Sequence, residues 1–315
     1  MSALAATAVC VSYDCADLLR RALTSLVAQD VPAGMEIIVV DNASPDDSAD
    51  VAASFPEVDV LRLPRNAGFG AANNAGAVRA KGDYLLFVNP DTETPPGLVA
   101  TLLDFMEERP AAAAVGPKIV GRDGKLQRFC ARRAPNFLNM MFLVSGLEES
   151  RFAGSSLTHR YYPRPFYDAA PARAEVLSGA FILVRRRAFE AVGGFDEGYF
   201  LYSEDVDLCM RLGRAGGELW YVPAGPVSHY TGGSRRLPNP LVVAESHRSL
   251  RRYARTWFGP AAGALVTAWS GTSLWLRRFG FAVLGVAWRG GRRRARLYRE
   301  VLASLARPAR GPDPA

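Results

Sequence analysis

EIIVVDNAS at residues 36–44 and DYLLFVNPD at residues 83–91 decide the fold. Each is an apolar run that closes on an acid or amide and is followed by polar residues that form turns. TAVCVS at 7–12 and VDVLRLP at 58–64 are built the same way. Between these runs lie helical spacings: Leu18, Leu19, Leu23, Leu26 and Val27 within 16–29, a short helix ending near Phe55, and a third from about Gly70 to Ala80. Strands that are almost continuously apolar and alternate with helices predict an α/β fold, a mainly parallel, Rossmann-like sheet with helices on both faces. Ligands of such sheets sit beyond the carboxyl ends of the strands, which puts Ser12, Asp41, Asn42 and Asp91 along one rim. An Asp or Asn after a strand also caps turns and helices; their recurrence in consecutive units is what points to a site.

Further along, 97–108 reads as a helix, and GPKIVGRDGKLQRF (116–129) as an antiparallel hairpin turning at Arg122-Asp123-Gly124. Residues 131–174 are irregular and rich in Arg, Pro and aromatics, a pattern often found in functional segments. Regular patterning resumes at 176–216, where a strand, a short helix and a turn lead to Glu204-Asp205-Val206-Asp207 on the first turn of a helix, with Ser203 as its expected N-cap.

The chain has 315 residues and a formal net charge of +7, unevenly distributed. Residues 248–315 hold 14 Arg or Lys and only two acids, Glu300 and Asp313, whereas the rest is mildly acidic. A basic tail suits an anionic partner, and its interleaving with Trp257, Phe258, Trp269, Trp275, Leu276, Phe279, Phe281 and Trp288 favours a membrane surface over nucleic acid. The charge-free stretch 257–276 contains Gly259-Pro260, Gly263 and Gly271, and the second apolar run, 279–288, is too short to cross a bilayer. The expectation is therefore two domains, a catalytic one over 1–247 and a basic amphipathic helical extension over 248–315. That extension either lies on the inner membrane face or packs on the domain or in a homodimer. Four cysteines without CxxC spacing, and a start lacking the basic region of a signal peptide, point to a reduced cytoplasmic protein in which Cys10 and Cys209 fill the core.

Four groups of residues can carry chemistry. Asp91, in Asn89-Pro90-Asp91-Thr92-Glu93, is a hard oxygen ligand suited to Mg²⁺ or Mn²⁺ bridging two phosphates. Glu204, Asp205 and Asp207 are close enough to divide labour, one deprotonating a hydroxyl while another orients it. His229 follows the strand ELWYVPAGPV and can offer an imidazole nitrogen to a metal. In RNAGFGAANNAG, Arg65 and Asn66 precede Gly68 and Gly70, so that a guanidinium and helix amides can meet phosphates. This is not GxGxxG, and a dinucleotide fold is unsupported. A nucleotidyltransferase would need an early Gly-rich loop with a catalytic basic residue, which is missing.

Taken in order, VSYD, IIVVDNASPDDS, RNAGFGAANNAG, LLFVNPDTE, the 177–212 segment and HYTGGS resemble glycosyltransferase family 2, inverting enzymes of GT-A fold, from about Thr7 to Ser234. The resemblance is strongest to bacterial rhamnosyltransferases of cell-surface polysaccharide synthesis. It implies a nucleotide-diphosphate sugar donor, dTDP-L-rhamnose being the best match, and a lipid-linked or glycan acceptor. It places Ser12 and Asp41, with Asn42, Arg65, Asn66, Gly68 and Asn89, around the nucleotide-sugar, and Asp91 at the metal-binding acid, with Asn89 where the first acid of the usual DXD stands. Asp205 matches the family's proposed base, with Glu204 beside it, and His229 matches a metal-ligand or diphosphate position. The alternatives are another hexose donor or a nucleotide-sugar-binding assembly protein without turnover.

Overall fold

Ala6–Ser12 (β1), Met35–Asp41 (β2), Val58–Arg62 (β3) and Tyr84–Val88 (β4) pair in parallel in the order β3-β2-β1-β4. They belong to a computed structural model that describes residues 4–145, 170–230, 239–284 and 289–307. Every residue of β1 and β4 is buried, as continuous apolar strands must be when helices cover both faces. The crossovers are Ala16–Val27 (α1), Ser48–Ala53 (α2) and Phe69–Arg79 (α3). Helix α1 turns Leu19, Ala22, Leu23 and Leu26 inward, at spacings that share one helical face. Helix α3 instead packs through small residues. A Cβ at Gly76 would stand 2.5 Å from Val9 Cγ1, so only glycine lets this helix lie so close to the sheet.

Beyond β4 the order continues through Thr92–Glu93 (β5), Leu98–Glu107 (α4), Ala112–Val120 (β6), Ala131–Arg132 (β7), Phe137–Ser145 (α5), Ala172–Ala174 (β8), Val176–Leu177 (β9), Phe181–Arg185 (β10), Arg186–Ala191 (α6), Glu204–Arg214 (α7) and Glu218–His229 (β11). The sheet runs β3-β2-β1-β4-β10-β6-β11-β5, with β8 also on β11. Strand β10 is antiparallel to both neighbours, β4 and β6, while β11 is parallel to β6 and antiparallel to β5. The sheet is thus mainly parallel, as the alternation implied, with one reversed strand in its middle. Because β10 is reversed, its beginning lies at the rim where β4 ends, and Asn89 N–H donates to Ala180 O at 2.9 Å.

Two local expectations are corrected. The hairpin at 116–129 turns where expected, but its return arm makes only one bridge, Val120 to Leu126, and then winds into a 3₁₀ turn at Arg128–Cys130. Ser203 is not in an N-cap conformation: its φ of 67° and the φ of 70° at Tyr202 are left-handed, whereas a capping residue is extended.

By contacts the chain divides into two units. The first holds the sheet and its helices, in the described parts of 4–134, 170–197 and 204–230. The second, over 135–145, 198–203, 239–284 and 289–307, is helical: α5 with Pro240–Phe258 (α8), Pro260–Leu284 (α9) and Arg289–Leu305 (α10). Its core gathers Ala244, Leu274, Leu297 and Val301. Helix α8 opens with Asn239 as N-cap, its side chain accepting from Leu241 N–H at 2.9 Å, and with Pro240 in the first turn. The expected division after residue 247 falls inside α8, because the helix starts earlier. The charge-free stretch 257–276 is shared by two helices, because Gly259, with φ of 92°, ends α8 after Trp257 and Phe258. Helix α9 runs unbroken through Arg277-Arg278, since two Arg are good helix formers and nothing there stops the turn. Trp288, Asp313, residues 146–169 and residues 231–234 of HYTGGS lie outside the described residues.

Candidate active site

The rim starts at the ends of β1 and β2. Ser12 Oγ donates to Asp41 Oδ1 at 3.4 Å, and Ser44 N–H donates to Asp41 Oδ2 at 3.3 Å, so this buried carboxylate is held in place from two sides. Asn42 is occupied differently. Its Nδ2 donates to Asn66 Oδ1 at 3.0 Å and to Gly68 O at 3.3 Å, while its Oδ1 accepts from Ala67 N–H at 2.8 Å. Asn42 and Asn66 therefore tie the loop before α3 to the end of β2. Gly68, with φ of 89°, supplies the left-handed turn into α3, and Arg65 is exposed beside them.

Asn89, Asp91 and His229 converge at the end of β4. Strands β5 and β11 put His229 opposite Thr92, Tyr230 N–H donates to Asp91 O at 2.8 Å, and His229 Nε2 stands 3.2 Å from Asp91 Oδ1. Gln127 fixes the ring. Its Nε2 donates to the carbonyl of His229 at 3.0 Å, which requires its Oε1, 2.8 Å from Nδ1, to accept a proton from Nδ1. In the neutral ring Nε2 then presents a lone pair towards the Asp91 carboxylate. Asn89 Nδ2 is 3.4 Å from that nitrogen, and Asn89 Oδ1 is buried without a hydrogen-bond partner among the described residues. Acceptors facing one another around an unsatisfied oxygen form a donor set that fits a hard divalent cation, with Gln127 as the outer partner that orients the imidazole. Among the described residues no three His, Cys, Asp or Glu side chains converge on one point. An ion such as Mg²⁺ takes one or two protein ligands and completes its shell with phosphates and water.

The second acidic cluster sits on α7. Asp205, half-buried, accepts from Gly179 N–H at 3.0 Å and from Val206 N–H at 2.7 Å. A Cβ at Gly179 would be 3.0 Å from that of Asp205, so the glycine gives the carboxylate its room. Glu204 is buried against the first turn of α3, its Cβ 3.7 Å from where a Cβ on Gly70 would lie, and its Oε2 has no hydrogen-bond partner among the described residues. Burial, and then the neighbouring Asp205, push the Glu204 carboxyl up to about 8, so it keeps its proton at neutral pH. Asp207 has another task. Its carboxylate meets Arg211 Nε at 2.7 Å, and Arg211 donates to the carbonyls of Val192 and Gly194, fastening α7 to the preceding turn.

Both clusters hang on one short segment: Ala180 O receives Asn89 N–H, and Gly179 N–H holds Asp205. Sequence reasoning named Asn89, Asp91, Asp205 and His229 but missed Gly179 and Gln127. The glycine before a strand was a usable signal; Gln127, in a turn without periodicity, gave none. Cys10 and Cys209 are fully buried, and burial pushes the Cys209 thiol up to about 12, which suits core fillers.

A mainly parallel α/β sheet with strand-end carboxylates and a helix-borne acid on one rim offers a site beyond the carboxyl ends of its strands, where such sheets bind nucleotides. The family model described as Glycosyl transferase family 2 matches residues 7–193, more than half of the chain. Among its relatives, the N-acetylglucosaminyl-diphospho-decaprenol L-rhamnosyltransferase of Mycobacterium tuberculosis is 33% identical over 263 residues, covering 76% of this chain and 81% of the relative. Rhamnosyltransferase WbbL of Escherichia coli K12 is 29% identical over 232 residues, covering 70% of this chain and 82% of the relative. Among solved structures, the mannosyltransferase PcManGT of Pyrobaculum calidifontis in complex with GDP-Man and Mn²⁺ has the same fold, with a TM-score of 0.56 at 14% identity over 96% of this chain and 86% of that one. The chain belongs to glycosyltransferase family 2 and is a glycosyltransferase of GT-A fold.

Proposed function

We propose that this enzyme transfers L-rhamnose, with inversion, from dTDP-L-rhamnose to a hydroxyl of a sugar carried on a polyprenyl diphosphate. The names of both rhamnosyltransferase relatives support rhamnose as the sugar moved, and the name of the mycobacterial one supports a sugar diphospho-polyprenol as the acceptor class. The observation that carries the mechanism is the hydrogen-bonded segment 179–180, which sets the Asp205 carboxylate beside the end of β4 and its Asp91. Asp205 accepts the proton of the acceptor hydroxyl as its oxygen attacks the anomeric carbon, and the bond from that carbon to the diphosphate breaks on the opposite side. Glu204, still protonated, keeps a second negative charge away from the incoming nucleophile. Asp41, fixed by Ser12 and Ser44, faces the nucleoside, and Arg65 is within the loop that meets the phosphates. Asp91 and His229 would hold a divalent cation, which when bound neutralises charge on the departing diphosphate.

A lipid-linked acceptor favours a cytoplasmic enzyme attached peripherally to the inner face of the membrane, and no helix among the described residues is long and apolar enough to cross it. Two measurements test this reading. In a panel of nucleotide-sugars with Mg²⁺, dTDP-rhamnose should raise the unfolding temperature most, since a ligand bound only by the folded state stabilises it; a larger shift with another donor would replace rhamnose. Titration calorimetry of dTDP should find the Mg²⁺-dependent part of binding lost in Asp91→Ala. Equal binding by variant and native protein would remove Asp91 from the metal site.

A further inference from the structure

Four backbone groups of the turn that follows α6 are taken up by two side chains, one from each helix flanking the site. From α3, Asn74 Oδ1 accepts Phe195 N–H at 2.9 Å and Asn74 Nδ2 donates to Phe195 O, also at 2.9 Å. From α7, Arg211 donates to Val192 O at 2.7 Å and to Gly194 O at 2.6 Å. Backbone polar groups removed from water need partners. Because two separate helices supply them here, the turn at 192–195 becomes a bracket that ties α3 to α7.

The residues around the bracket are shaped for it. Gly194 has a φ of 70°, and a Cβ there would stand 2.7 Å from Asn74 Oδ1, so glycine alone admits both the turn and the amide. Phe195 is buried, its ring centre 4.9 Å from that of Phe87 on β4, 5.6 Å from Phe189 on α6 and 6.2 Å from Phe69 on α3. One helical turn before Asn74, a Cβ on Gly70 would lie 3.2 Å from that of Phe195 and 3.7 Å from that of Glu204. Residues 70 and 74 share one face of α3, and that face meets both the bracket and the acidic first turn of α7. Asn74 Nδ2 also donates to Glu197 Oε1 at 3.0 Å, on the exposed side.

We infer that Asn74 is a positioning residue for sugar transfer: through the 192–195 turn it sets α7, and with it the Asp205 carboxylate, against the helix whose leading loop at 65–68 belongs to the donor site. This rests on the reading of Asp205 as the base. The bonds of the Asn74 side chain go to residues 195 and 197, so its loss leaves the donor contacts in place and displaces the base relative to them. A misplacement of about 1 Å by a change away from the chemistry can cost about 10²-fold in rate. An amide with a purely structural role would lower stability and leave turnover of the folded protein unchanged.

The test is steady-state transfer, with the donor that the native protein turns over, and calorimetry of dTDP with Mg²⁺, on Asn74→Ala, Asn74→Asp and Glu197→Gln, each checked for folding by urea unfolding. Asn74→Ala should lower kcat by about 10- to 100-fold while KM for the donor and dTDP affinity stay within about twofold. Asn74→Asp keeps the acceptor for Phe195 N–H and loses the donor to Phe195 O, so its kcat should fall between those of Asn74→Ala and the native protein; it carries the test where the alanine variant does not fold. Glu197→Gln, which removes only the exposed charge, should transfer at the native rate. Native kcat in the folded Asn74 variants, or a loss seen as weaker dTDP binding with kcat kept, would overturn the inference. Asp205→Asn measured in parallel tells the two failures apart. Normal turnover by Asp205→Asn removes the base and this inference with it, whereas an impaired Asp205→Asn beside normal Asn74 variants overturns the positioning role alone.

Discussion

Glu204 retains one carboxylate oxygen that is buried without a partner, beside an Asp205 whose two oxygens both accept backbone N–H groups. Its carboxyl is raised from 4.5 to about 8 in the folded chain, so folding takes up a proton between those values and stability falls as pH rises through that window. Glu204→Gln should remove this fall. In thermal unfolding across pH, its advantage over the native protein should grow from about pH 5 to about pH 8 and level off above; a constant difference would mean that Glu204 is ionised at neutral pH. The same variant should transfer sugar within a few fold of the native rate at pH 7, because Gln mimics the protonated acid. Asp91 and His229 could be read from the sequence because each ends or follows an apolar run, and Asp205 because it stands in the acidic first turn of a helix. Gln127 could not, since it acts through a ring supplied by a residue far along the chain. The amides of Asn42 and Asn66 were legible as site residues, but not that they are spent on holding a loop.

At the scale of elements, α7 depends on the Asp207–Arg211 pair, in which Asp207 is buried and Arg211 reaches two carbonyls of the turn at 192–194. Removing the cation takes the guanidinium away from a buried carboxylate and from two carbonyls, so Arg211→Met should cost about 3 kcal/mol in urea unfolding. A loss near zero would show that Asp207 is neutral or solvated. The acids on this helix form an unbroken motif in the sequence, and only the packing separates Asp207, which fastens the helix, from Asp205, which faces the rim. The parallel half of the sheet was legible because β1, β2 and β4 are buried runs joined by helices. The direction of β10 was not. FILVR reads the same along either direction, and its reversal is decided by the neighbours it pairs with, Tyr84–Val88 on one side and Ala114–Val115 on the other. That reversal matters to the site, for it brings Gly179 and Ala180 to the rim.

Across the whole molecule, charge and chemistry are segregated. The sheet unit holds the strand-end acids, and the helical unit holds most of the 14 basic residues after 247. The imbalance was plain in the sequence, but the continuity of α9 through Arg277-Arg278 was not, because the two apolar runs were read by their charge and not by where a helix stops. The central assignment is the division of work between Asp91, for the departing diphosphate, and Asp205, for the incoming hydroxyl. The most direct measurement is release of dTDP from dTDP-rhamnose with a sugar-diphosphopolyprenol acceptor by Asp205→Asn, whose amide oxygen can still accept a backbone N–H, alongside calorimetry of its dTDP binding with Mg²⁺. Native-like binding with transfer slower by about 10²- to 10⁴-fold is the expected result; near-native transfer by a folded Asp205→Asn protein would contradict the assignment.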